Sequence, residues 1–160
     1  MVTQSNSQPE IKDLEAGVVP DVGAPLPVIL ADDWRLAVFF VGHLLRQPDV
    51  EVCGVIRCDS LLFKFGVPSD ESIVRHDLYP MGLRRYTIQE VLRSSWIAEE
   101  FPNTTRSLRH IIATFHDSTF ECVTEKVSVT FKNGGVWENI RKAINAPDAG
   151  EGDEGEGWVV

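Results

Sequence analysis

The chain has 160 residues, 43% hydrophobic and 9% aromatic, enough for one buried core and too few for two comfortable domains. Its formal net charge of −9 sits at the ends: residues 1–33 hold six acids and one Lys, residues 146–160 hold five acids and no base, and the segment between them comes to +1 with ten Arg among its fourteen bases. These features exclude a strongly basic polyanion-binding domain and, with three Cys, a disulfide framework; the longest apolar run, residues 36–41, is far below the roughly 20 residues that span a bilayer. No signal-like segment follows Met1, so free thiols in a reducing cytoplasm are expected.

Residues 1–27 are rich in Ser, Gln, Pro, Asp, Glu and Gly and are expected to form a flexible acidic arm. Within them Ile11, Leu14 and Val18 have a spacing that allows a docked turn of helix. Residues 34–41, WRLAVFFV, read as a buried strand. The alternation from Val50 through Ile56, then residues 61–65 after Asp59-Ser60, reads as a hairpin. Cys53 and Cys58 fall on opposite faces of such a strand and neither pair nor chelate. Residues 66–82, with two Pro, no sustained period and unusual length, read as a loop of the kind that often carries function.

Two readings compete over residues 86–101. Thr87 with Glu90 forms a capping box for one long helix, whereas Ser94-Ser95 ahead of Trp96-Ile97 is itself a helix start that leaves residues 86–92 as a strand. The second is preferred. Residues 110–123 read as a hairpin with its turn centred on Asp117-Ser118. That register opposes Phe115 to Phe120 and Ala113 to Cys122 on an apolar face, and Thr114 to Glu121 on a polar face with His116 diagonal to Glu121 and His110 beyond. The strand is expected to continue or re-form through Val127, Val129 and Phe131, and Asn133-Gly134-Gly135 ends it. Residues 136–145 read as a helix with Trp137, Ile140, Ala143 and Ile144 on one stripe, and an acidic Gly-rich tail follows from residue 147.

The segments HDLYPMGLRRYTIQEVLRSSWI (76–97) and RHIIATFHDSTFECV (109–123) resemble those of a group of small uncharacterised bacterial proteins that combine a G-L-x-x-Y, E-V, S-S-W-I stretch with an HDSTFEC hairpin. The resemblance implies bacterial origin and a shared fold, supports the strand reading of residues 86–92, and carries no activity.

His76-Asp77 and His116-Asp117 match the metal-binding His-Asp dipeptide of phosphohydrolases only in sequence, because that chemistry needs the pair on a helix with further ligands. An imidazole beside a carboxylate is the minimum for acid–base work. His116, Glu121 and His76 are therefore the candidate catalytic residues, set against the plainer reading of local turn contacts for His116 and an Arg partner for Glu121. Cys122 belongs to the apolar face, where a thiol is a small buried hydrophobe. Arg84, Arg85 and Arg109 are candidate ligand- or partner-binding residues, and Trp158, on its acidic tether, is a candidate anchor. No cofactor and no metal is expected.

The expected fold class is α+β: a single domain over residues 28–146, mainly an antiparallel sheet of five or six strands with two short helices. The first functional expectation is a protein-interaction module that binds another protein or its own copy, with no membrane or nucleic-acid role. The alternative is a small hydrolase or ligand-binding enzyme using the His/Glu pair of the second hairpin.

Overall fold

The computed structural model describes residues 8–24, 27–33 and 35–145. Along these residues run β1 (Glu10–Asp13), β2 (Val18–Pro20), β3 (Val28–Ala31), β4 (Leu36–Leu44), β5 (Gln47–Gly66), β6 (Ile88–Leu92), α1 (Ser95–Glu100), β7 (Arg109–Thr114), β8 (Thr119–Lys132) and α2 (Val136–Asn145), with 3₁₀ turns at Ile73–Arg75 and Tyr79–Met81. The expected α+β fold with five or six strands is corrected. Eight strands form one antiparallel sheet in the order β1-β6-β7-β8-β5-β4-β2, with β3 also on β4, and helix is confined to two short elements.

The two ends of this strand path are joined by the chain itself. Only residues 14–17 separate β1, paired with β6, from β2, paired with β4. The segment keeps bonding to both edges: the Leu14 amide donates to the Ile88 carbonyl at 3.0 Å, and the Leu45 amide to the Gly17 carbonyl at 3.0 Å. Four residues of extended chain reach at most about 14 Å, so the sheet curls until its edges meet across one short strap. Segment 8–24, expected as a flexible arm with a docked helical turn, is thus the closing piece of the sheet.

Inside the curl lies the main core. Leu14, Ala16 and Val18 from the strap meet Val38, Phe40, Ile56, Ile111, Phe115, Phe120 and Cys122 from the strands. This interior is closely fitted at the Phe40 and Gly54 pair. A Cβ on Gly54 would lie 2.2 Å from the Phe40 ring, so the aromatic ring occupies the space that any other residue would need. Cys58 and Cys122 face each other in the same core, Sγ to Sγ 3.7 Å. Cys53 points outward to a second cluster with Phe39, Val55 and Ile140.

Alternation then decides the outer face. Part of it is covered by α2, which buries Ile140 and Asn139, while Trp137 and Ile144 are 65% exposed. The expected stripe of Trp137, Ile140, Ala143 and Ile144 is corrected to Ile140 with Val136. Another part is covered by the 66–82 segment, whose Ile73 packs with Leu83, Val91 and Ile112.

Two further expectations change. The hairpin expected within residues 50–65 does not form, because β5 runs unbroken for 20 residues. Its register on β8 slips between Cys58 and Ser60 and between Ser60 and Leu62, so the Asp59-Ser60 turn signal is absorbed as a bulge in a strand paired along most of its length. The second hairpin turns one residue earlier than expected. The Phe115 amide donates to the Ser118 carbonyl at 2.8 Å, centring the turn on His116-Asp117 and pairing Thr114 with Thr119 and Ala113 with Phe120. Each residue keeps its expected face, but its partner shifts by two. Trp34, Trp158 and the tail beyond residue 147 lie outside the described residues.

Candidate functional site

Glu121 stands on the outer face of β8, opposite Ile112 of β7 and Lys64 of β5. Its side chain is 13% exposed and holds two imidazoles, His110 Nε2 at 2.9 Å from Oε2 and His76 Nε2 at 3.1 Å from Oε1. His110 comes from the same hairpin. His76 comes from the 66–82 segment, held where the 3₁₀ turn ends by its amide bond to the Ile73 carbonyl at 2.9 Å.

With each ring singly protonated, the direction of the hydrogen bonds here follows from valence. Leu78 N–H donates to His76 Nδ1 at 3.1 Å, so that nitrogen is an acceptor and Nε2 carries the proton given to Glu121. Ser94 Oγ accepts from Ile97 N–H at 3.2 Å as the cap of α1 and lies 2.8 Å from His110 Nδ1. An ionised Glu121 can only accept, so His110 carries its proton on Nε2 and Nδ1 is left to accept the Ser94 hydroxyl proton. One relay therefore runs from Ser94 through His110 to Glu121, and His76 braces the carboxylate from the other side. Burial alone would raise the Glu121 pKa; the hydrogen bonds from His110 and His76 outweigh it and bring the group from 4.5 to about 2.

Local backbone sets Ser94 in place. It sits at the strand-to-helix turn between β6 and α1, directly after Arg93, a non-glycine residue at φ +55°. Left-handed backbone of this kind costs about 1–3 kcal/mol and persists only where surroundings enforce it. Here Arg93 is tied to β1, through Glu10 Oε2 at 2.7 Å and the Gln8 carbonyl at 3.1 Å.

The cleft beside Glu121 has a volume of about 310 Å³ and is lined by Lys64, Arg75, His76, Ser94, Trp96 and His110 among others. Trp96 meets His110 edge-on with centroids 5.2 Å apart, and Lys64 Nζ lies 3.9 Å from the Trp96 ring centroid. Ser94 also lines a second hollow of about 520 Å³ with Ile97, Phe101 and Leu108. Although only 6% exposed, it lines both hollows, as does Val91.

The candidates from sequence are distributed unevenly. Glu121 and His76 come together in the cleft. His116 is elsewhere, at the hairpin tip, its Nδ1 3.3 Å from Asp70 Oδ2. The two-residue shift in register makes His110 diagonal to Glu121 on the side away from the turn, and Thr114 takes the turn-side place opposite Thr119 expected for His116. Asp70 also accepts from the Tyr86 hydroxyl, and that bond, ahead of burial, pushes the phenol up to about 12. Asp70, His116 and Asp117 each place a potential ligand atom within 4.8 Å of the others, but Asp70 is already occupied by Tyr86 and the Glu71 amide.

Arg84 is paired with Asp13 of β1, and Arg109 holds Glu90 with two bonds of 2.9 and 2.8 Å. Arg85 is exposed and lies outside the cleft lining. Cys122 faces the core, where the Cys58 thiol and burial raise its pKa, which keeps it from acting as a nucleophile. Sequence reasoning read Ser94 only as a helix start and left Lys64 and Arg75 unremarked; the strand–Ser–helix turn is the one local signal that points to Ser94.

No family model matches the chain, and neither the curated proteins nor the solved structures give a match. Among the described residues, no helix is long and apolar enough to cross a membrane.

Proposed function

We propose that the chain is a small hydrolase in which Ser94 is the nucleophile, His110 the base and Glu121 the carboxylate that orients it. The observation that carries this is the 2.8 Å contact between Ser94 Oγ and His110 Nδ1, with Glu121 on the far side of the ring at 2.9 Å from Nε2. It has the logic of a Ser-His-carboxylate triad with the two ring nitrogens exchanged. Ser94 Oγ attacks an acyl carbon with its remaining lone pair while its proton passes to His110 Nδ1. Ionised Glu121 stabilises the imidazolium. The leaving group departs with that proton, and water then cleaves the acyl-serine by the same route. His76 is a positioning residue that holds Glu121.

The test is covalent labelling with a fluorophosphonate probe, read by mass spectrometry, together with ester hydrolysis. The expected result is one adduct, on Ser94, and a loss of turnover of roughly 10³-fold or more in Ser94→Asn, a substitution that keeps a helix-capping side chain. An unlabelled Ser94 in folded protein, or full turnover in the variant, overturns the reading.

An interaction role has its own supporting observation. The pairing of β5 with β4 ends at Cys58, and beyond it Phe63, Phe65 and Val67 are 47%, 43% and 93% exposed. The partner that fits is a second copy of the chain pairing edge to edge about a two-fold axis. A concentration-independent monomer in light scattering would exclude it.

A further inference from the structure

We infer that the substrate of this cleft is a small acyl ester carrying a free carboxylate, held by Lys64 and Arg75. The reaction rests on the hydrolase reading; the charge preference rests on these two cations alone. Lys64 stands directly opposite Glu121 in the sheet, where an ion pair would be the ordinary outcome. It makes none: both oxygens of Glu121 are taken by His110 and His76, and the ammonium lies over the Trp96 ring instead. Arg75 lines the same cleft, is exposed, and among the described residues has no carboxylate partner.

Two cations thus border a hollow whose own buried carboxylate already holds an imidazole on each oxygen. The remaining acid in the lining is Asp77, itself exposed. A volume of about 310 Å³ corresponds to roughly ten waters at about 30 Å³ each, which suits a small molecule. An ammonium and a planar guanidinium in such a space favour a carboxylate through charge-assisted hydrogen bonds, and the guanidinium can bind it in bidentate fashion. The covalent step balances: the Ser94 Oγ–acyl bond forms, the ester C–O bond breaks, and the alcohol leaves with the proton from His110 Nδ1. Water then releases the acid.

The experiment compares the p-nitrophenyl esters of acetate and of hemisuccinate at low salt. In the unmodified protein kcat/KM is expected to be at least about tenfold higher for hemisuccinate, falling with added salt as charge is screened. In Lys64→Met/Arg75→Met the ratio of the two esters is expected to fall to within about twofold of one, and Asp77→Asn is expected to raise it. A ratio near one in the unmodified protein, or an unchanged ratio in the double variant, overturns the inference while leaving Ser94-dependent hydrolysis standing. If neither ester is turned over, succinate binding followed by calorimetry separates the two ideas. Binding lost in the double variant keeps the anion site and removes the hydrolase reading, whereas no binding to the unmodified protein removes the anion site as well.

Discussion

Glu121 holds its charge against burial because His110 and His76 each donate a hydrogen bond to it and add a favourable charge interaction. Its folded pKa, about 2, lies below the ordinary 4.5, so the unfolded chain takes up the proton first as pH falls. The stabilisation is therefore complete above about pH 4.5 and is lost between there and pH 2; at 1.36 kcal/mol per pH unit it amounts to roughly 3 kcal/mol. Urea unfolding at pH 7, 4 and 3 should show Glu121→Gln less stable at pH 7 and less sensitive to acid than the unmodified protein. Equal acid sensitivity in the two would refute this account. The sequence made the residue legible only in part. Alternation put Glu121 on the polar face, but His116-Asp117 and Asp117-Ser118 are equally good turn centres, and that one-residue choice decides whether His110 or His116 reaches it. His76 approaches from 45 positions away along the chain, and no local pattern encodes such a meeting.

At the scale of elements, β5 shows how pairing overrides local signals. Asp59-Ser60 has turn chemistry, yet β8 pairs on both sides of it from Cys53 to Gly66, and a bulge is the smaller disturbance. The strand at residues 88–92, the short helix behind Ser94 and the terminal helix were readable, because caps and breakers mark their ends. The interior fit of β4 on β5 was not, since nothing in the sequence says that Phe40 lies over Gly54. Gly54→Ala places a methyl inside the ring's volume and should destabilise by about 1–3 kcal/mol, lowering Tm by about 2–4 °C per kcal/mol. Adding Phe40→Leu should recover part of the loss in calorimetric scans. A Gly54→Ala protein that melts with the unmodified one would mean the ring moves freely.

For the molecule as a whole, the charge count separated what the fold joins. Glu10 and Asp13, counted with an acidic arm, pair with Arg93 and Arg84 of the Arg-rich domain. Composition registered the excess on each side without showing that the two were partners. A chain beginning at residue 21 would lose Leu14, Ala16 and Val18 from the core and bare the edges of β4 and β6. Such a chain should lose its sharp cooperative urea transition and self-associate through the open edges, as seen by size-exclusion chromatography. A monomer with an unchanged midpoint would show that the strap is dispensable.

The strap also orders events in time. It is the first part of the sheet to be synthesised, yet Glu10 pairs with Leu92, and Val18 pairs with Leu44. At about 5–20 residues per second, the ribosome needs on the order of 4–16 seconds to supply the β6 edge after β1 has emerged. Such long-range pairing slows folding through the cost of closing a large loop. During that interval the apolar face of the strap has no partner on one side and stays open to unwanted contacts.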